Sequence, residues 1–136
     1  MRLRRASPLL AAAALAAGCG PGGGAAGGPV QAVADGARLY SGNCIACHQQ
    51  DGRGIPGVYP ALAGSPVVLG DPGELAAWVV HGKRTASMPA GRYTTVMPPF
   101  GWLHAADAAA LLTYLRSNFG NQAAAVDAAS LAPVFQ

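Results

Sequence analysis

Apolar positions recur at helical spacing in three stretches of this chain and alternate convincingly at strand spacing in none, a pattern that predicts an all-α fold. The first helix is expected over residues 35–43, with Asp35 as N-cap and Leu39 and Tyr40 on its inner face. A second starts at Asp71-Pro72-Gly73-Glu74, where an N-cap carboxylate, a proline at the first helical position and a glutamate at the third coincide. It runs through Leu75 to about His81, and Gly82 ends it. The third is predicted over 105–118, with Ala108, Leu111, Leu112 and Leu115 on one face and Gly120 just beyond. Between these lie a glycine-rich loop over 49–57 and the run Val96-Met97-Pro98-Pro99-Phe100-Gly101, which cannot be regular helix. Residues 122–136 are alanine-rich and weakly patterned, with room for one short helix over 127–131.

The pattern fails altogether at the N-terminus. A cationic Met1-Arg2-Leu3-Arg4-Arg5 precedes an apolar run at residues 9–15 and then small residues, the layout of an export signal. The apolar run is shorter than the ~20 residues of a membrane-spanning helix. Leu15-Ala16-Ala17-Gly18-Cys19 resembles a bacterial lipobox, in which Cys19 carries the lipid and becomes the first mature residue. Leu15 stands four residues before the cysteine where a lipobox has it three before, and ordinary secretory cleavage is the alternative. From Gly20 to about residue 34 the chain is nearly all Gly, Ala and Pro with no charge, the composition of a flexible tether. The expected organisation is therefore a lipoprotein-type signal at 1–18, a lipid-anchored linker at 19–34, a globular domain at 35–121 and a tail at 122–136.

Charge and cysteine count narrow the chemistry. The 136 residues carry a formal charge of +3, but Arg2, Arg4 and Arg5, three of the eight arginines, lie within the first five positions of a removable segment. Six basic and six acidic residues remain after it, so the basic balance is no argument for nucleic acid. Three cysteines are present, and two of them fall in Cys44-Ile45-Ala46-Cys47-His48. C-x-x-C-H is the attachment signature of haem c. Two thiols one short turn apart can add to the two vinyl groups of a haem, which leaves the adjacent His48 imidazole beneath the iron. A zinc site would need four ligands, and only scattered His81 and His104 remain to complete one. A redox C-x-x-C expects a βαβ setting, which the pattern does not provide.

On this motif, together with Met97-Pro98-Pro99-Phe100 and the Leu111-Leu112-Thr113-Tyr114-Leu115-Arg116 run that follows, the sequence resembles the monohaem class I c-type cytochromes. The resemblance implies a small cytochrome c fold of three to five helices around one covalently attached haem. Candidates for the second axial ligand are Met88, Met97, His81 and His104; the family's methionine lies in a proline-containing loop just before the last helix, which selects Met97 and leaves Met88-Pro89 a loop methionine. His48 and Met97 are then the iron ligands. The resemblance further implies that the Pro60 carbonyl accepts a hydrogen bond from the His48 ring, that Leu62 packs on the haem face, and that Gly36 lets the first helix cross the last closely beside Tyr40, Leu111 and Tyr114. Tyr59, Arg84 and Trp102 are candidate donors to the propionates. Lys83, Arg84 and Arg92 form either a docking patch or a solvated loop.

The runs at 59–66 and 114–121 look like cytochrome modules attached to periplasmic dehydrogenases, nitrite reductases and terminal oxidases. The function implied is periplasmic electron transfer without catalytic acid, base or nucleophile, between a donor such as a dehydrogenase or quinol-oxidising complex and an oxidase or reductase, with the membrane reached through Cys19. The alternatives are a haem sensor or peroxidase-like protein whose distal methionine is labile, and a fixed subunit of a larger enzyme.

Overall fold

The computed structural model describes residues 28–87, 91, 93 and 95–136. The expected signal segment, Cys19, Met88, Pro89 and Arg92 lie outside them. The order is α1 (Pro29–Asn43), α2 (Ile45–His48), α3 (Pro66–Leu69), α4 (Pro72–His81), α5 (Ala105–Ser117) and a closing 3-10 segment, Ala128–Phe135. Five α-helices and no strand among the described residues agree with the all-α expectation.

α5 is the centre of the domain. Ala108 to Leu112, Leu115 and even Thr113 and Arg116 are buried, because α1, α3, α4 and the 3-10 segment all pack on it. A helix covered on nearly every side is apolar nearly all round, which is why its one-face periodicity reads weakly. The α1–α5 crossing depends on Gly36. A Cβ there would stand 2.2 Å from the Ala110 carbonyl oxygen and 2.6 Å from Tyr114 Cβ. The two backbones meet where no side chain fits, as the resemblance implied, and Tyr40, Tyr114 and Phe119 close the crossing with ring centroids 5.1–5.6 Å apart.

α4 has the predicted ends. Asp71 Oδ1 accepts from the Glu74 N–H at 2.8 Å, and Gly82 takes the left-handed conformation that stops the helix. α1 differs from its prediction: it begins at Pro29, so Asp35 lies within the helix and accepts hydrogen bonds from Gln31 and Arg38 instead of capping an end. Proline at the first turn is compatible with a helix start, and the glycine- and alanine-rich composition had hidden it.

The residues after α5 belong to the packed structure. Leu131 is fully buried, and a buried leucine contributes about 1.5–3 kcal/mol. Val126 N–H donates to Thr113 Oγ1 at 3.0 Å. Arg116, 7% exposed, donates to the carbonyls of Val68 (2.7 Å), Gly70 (2.8 Å) and Ala124 (3.0 Å), joining α3, α5 and the tail through one guanidinium. Three carbonyl acceptors satisfy a charge that would otherwise be costly to bury.

Candidate haem-binding site

The end of α1 delivers the motif. Cys44 N–H bonds to Tyr40 O at 2.8 Å and closes α1, and His48 N–H bonds to Cys44 O at 2.9 Å, so residues 45–48 form a single turn of helix directly after it. Cys44 and Cys47 are half-buried and neither is in a disulfide. Burial and the neighbouring Cys47 push the Cys44 thiol up to about 11. The turn ends at Gln49, a non-glycine residue with φ 64° and ψ 164°, a conformation that costs about 1–3 kcal/mol. Its carbonyl accepts the Tyr40 hydroxyl, and burial raises the Tyr40 phenol above its ordinary value and keeps it a donor.

The glycine-rich loop then brings residues 59–62 against His48. Gly54 N–H donates to His48 O at 2.9 Å, and the N–H groups of Leu62 and Ala63 donate to Gly52 O at 2.7 and 3.0 Å. A Cβ on Gly54 would lie 2.4 Å from Tyr59 O and 2.5 Å from Pro60 O, at a φ of +64°. Only glycine allows this approach. Its result is that Pro60 O stands 3.0 Å from His48 Nδ1. A carbonyl only accepts, so Nδ1 carries the proton and Nε2 keeps its lone pair for a metal. Burial lowers the His48 pKa, opposed by the Pro60 bond, which favours the neutral ring that ligation needs.

On the other side of the sequence motif pair, Met97 is half-buried and packs against the same apolar cluster as Cys44, Leu62 and Phe100. Its loop is tied down at two points. Thr95 Oγ1 donates to Val58 O at 3.0 Å, and Phe100 N–H donates to Val79 O of α4 at 2.9 Å. Pro98 and Pro99 stiffen the interval between them.

The remaining candidates have other places. His81 ends α4 with Nε2 2.7 Å from Val134 O in the closing segment. His104 is the exposed N-cap of α5, with its backbone N–H 3.4 Å from Asp107 Oδ2. The Cys47 thiol beside the Tyr59 phenol raises the Tyr59 pKa above its ordinary value. The Arg84 guanidinium lies over the Trp78 ring at 6.0 Å, Trp102 is 57% exposed, and Lys83 is exposed. Among the described residues no three His, Cys, Asp or Glu side chains gather to hold a metal ion. Sequence reasoning missed Asn121, whose buried carboxamide bonds to the backbone of the 62–64 segment. A polar residue just past Gly120 was its only trace.

The donor set suits an iron porphyrin. Two thiols stand on consecutive turns for covalent attachment, an oriented imidazole presents Nε2, and a soft thioether lies in the apolar cluster that would receive the macrocycle. The cytochrome c family model matches residues 33–119. Cytochrome c-552 of Thermus thermophilus is 35% identical over 100 residues, covering 70% of this chain and 67% of that protein. The cytochrome c subunit of a quinone-dependent alcohol dehydrogenase from Gluconobacter oxydans is 35% identical over 97 residues, covering 70% of this chain and 20% of the subunit. The fructose dehydrogenase cytochrome subunit of Gluconobacter japonicus is 36% identical over 103 residues, covering 69% and 20%. The chain thus spans about two thirds of the first relative and about a fifth of the other two. By motif, fold and these similarities, the chain belongs to the cytochrome c family, electron carriers whose haem c is bound covalently to the polypeptide.

Proposed function

We propose that this chain is a monohaem carrier working in the periplasm, passing single electrons from a respiratory donor such as a dehydrogenase or quinol-oxidising complex to a terminal oxidase or reductase. Cys44 and Cys47 would hold the haem, and His48 and Met97 would ligate its iron. The bound group supplies a one-electron iron couple. The polypeptide does the rest: Pro60 orients the imidazole, the thioether of Met97 favours the ferrous state and raises the potential, and Leu62 with the apolar cluster excludes water.

The observation that carries the reading is the 3.0 Å contact between His48 Nδ1 and Pro60 O, which leaves Nε2 free for ligation. A redox titration with and without carbon monoxide tests it. A single reversible one-electron transition, with ferrous protein inert to carbon monoxide at neutral pH, is expected. Rapid and complete carbon monoxide binding would support instead a sensor or peroxidase-like protein with a labile distal position.

The membrane part of the proposal rests on residues 1–19. Cys19→Ala is expected to release the protein from membranes with its absorption spectrum unchanged, and retention would remove the lipid anchor from the account. A second reading, a cytochrome module serving a larger dehydrogenase, is favoured by the two dehydrogenase-subunit relatives. Co-purification of a dehydrogenase after mild detergent extraction would decide for it.

A further inference from the structure

One buried polar side chain that bonds to the segment beside His48 lies outside the haem motif. Asn121 is 4% exposed. Its Oδ1 accepts from Gly64 N–H at 2.8 Å, and its Nδ2 donates to Leu62 O at 3.1 Å and to Leu115 O at 2.8 Å. The partners fix the orientation of the carboxamide: two carbonyls demand the nitrogen and one N–H demands the oxygen. The chain takes an expensive path to put it there. Phe119 (φ 60°) and Gly120 (φ 82°) are consecutive left-handed residues that turn the backbone under the end of α5, and the first is not a glycine.

The segment Asn121 grips is the one that sets His48. Leu62 and Ala63 are held from one side by Gly52 O, and the Leu62 carbonyl and Gly64 N–H from the other by Asn121. Pro60, two residues back, supplies the carbonyl on His48 Nδ1. From this connection we infer that Asn121 is a positioning residue for the axial histidine, clamping the 60–64 segment to α5 so that the Pro60 carbonyl stays on the imidazole N–H. The inference rests on His48 being the iron ligand, as proposed above. A histidine that shares its Nδ1 proton with an acceptor is a more basic ligand and stabilises ferric iron, so slackening the clamp raises the midpoint potential.

The test compares Asn121→Ala, Asn121→Asp and Thr113→Val in haem-loaded protein. Thr113→Val removes the Val126 bond of the tail without touching residues 60–64. In Asn121→Asp the size is kept and the Gly64 bond survives, but an oxygen replaces the nitrogen that faced the Leu62 and Leu115 carbonyls. The readouts are the solvent exchange rate of the His48 Nδ1 proton by NMR of the ferrous form, and the midpoint potential. Both Asn121 variants are expected to accelerate exchange about tenfold or more, the scale on which losing a ligand's outer hydrogen bond is felt, and to raise the potential. Thr113→Val leaves both near the parent values. Asp behaving as the parent, or Thr113→Val shifting both readouts as far as Asn121→Ala, would reduce Asn121 to a packing residue and overturn the inference. Should the variants not accumulate, the parent protein still decides: the Asn121 Nδ2 protons are expected to be strongly protected, and exchange at the rate of an exposed amide overturns the clamp. A parent spectrum with no ligated His48 would instead strike at the proposed function.

Discussion

The two sides of the candidate haem site are built by different means. On the histidine side, the Tyr40 hydroxyl, Gly52 O, Gly54 N–H, Pro60 O and the Asn121 carboxamide form a closed set of hydrogen bonds around α2 and residues 59–64. Among the described residues the methionine side has no helix or strand from 95 to 104; bonds from Thr95 to Val58 and from Phe100 to Val79, a turn closed by Leu103 N–H on Phe100 O, two prolines and the apolar packing of Met97, Phe100 and Leu103 hold it. A nitrogen ligand whose ring must face one way is set by directional bonds, whereas a flexible thioether needs only a loop of the right length held at both ends. The contrast implies that damage on the histidine side appears as lost stability and shifted potential, and damage on the methionine side as opened coordination.

The harshest test of that contrast is Met97→Ala. It is expected to give a high-spin haem that binds carbon monoxide stoichiometrically, read from the visible spectrum, while Met88→Ala keeps the low-spin spectrum; the reverse outcome would move the ligand role to Met88. Next comes Gly54→Ala on the histidine side. A left-handed alanine whose Cβ meets two carbonyl oxygens is expected to lower unfolding stability by about 2–5 kcal/mol, measured by denaturant titration, and to shift the potential without admitting carbon monoxide. The finest comparison sets Tyr40→Phe against Thr95→Val. Each removes one hydroxyl-to-carbonyl bond and is expected to cost about 1 kcal/mol. Only Thr95→Val should speed the binding of carbon monoxide or imidazole, and equal ligand kinetics in the two would erase the distinction between the sides.

The features that read clearly from the sequence were those written in local chemistry. Cys44-Ile45-Ala46-Cys47-His48 announces itself, and Asp71-Pro72-Gly73-Glu74 with Gly82 marks both ends of α4 because caps act over one turn. α5 was placed to within a residue at its C-terminal end. The start of α1 was misplaced because Pro29 and Gly28 sit in tether-like composition, and α3 is one turn, too short for any periodicity. Residues 122–136 were underestimated for a different reason. Their fixation comes from outside the segment, through Thr113 with Val126, Arg116 with Ala124 and His81 with Val134, and a 3-10 segment does not show helical spacing. Asn121 stayed invisible on the same account: each of its three bonds is to a backbone group elsewhere in the chain, so no local pattern points to it.

Arg116 welds the carboxyl end of the polypeptide to its middle, and this has a practical outcome. Limited digestion is expected to spare the last fifteen or so residues, since Leu131 and Ala124 are engaged from beneath. A label attached at Gln136 then departs from a fixed point on the surface, so distances measured from it report the position of the domain formed by the described residues.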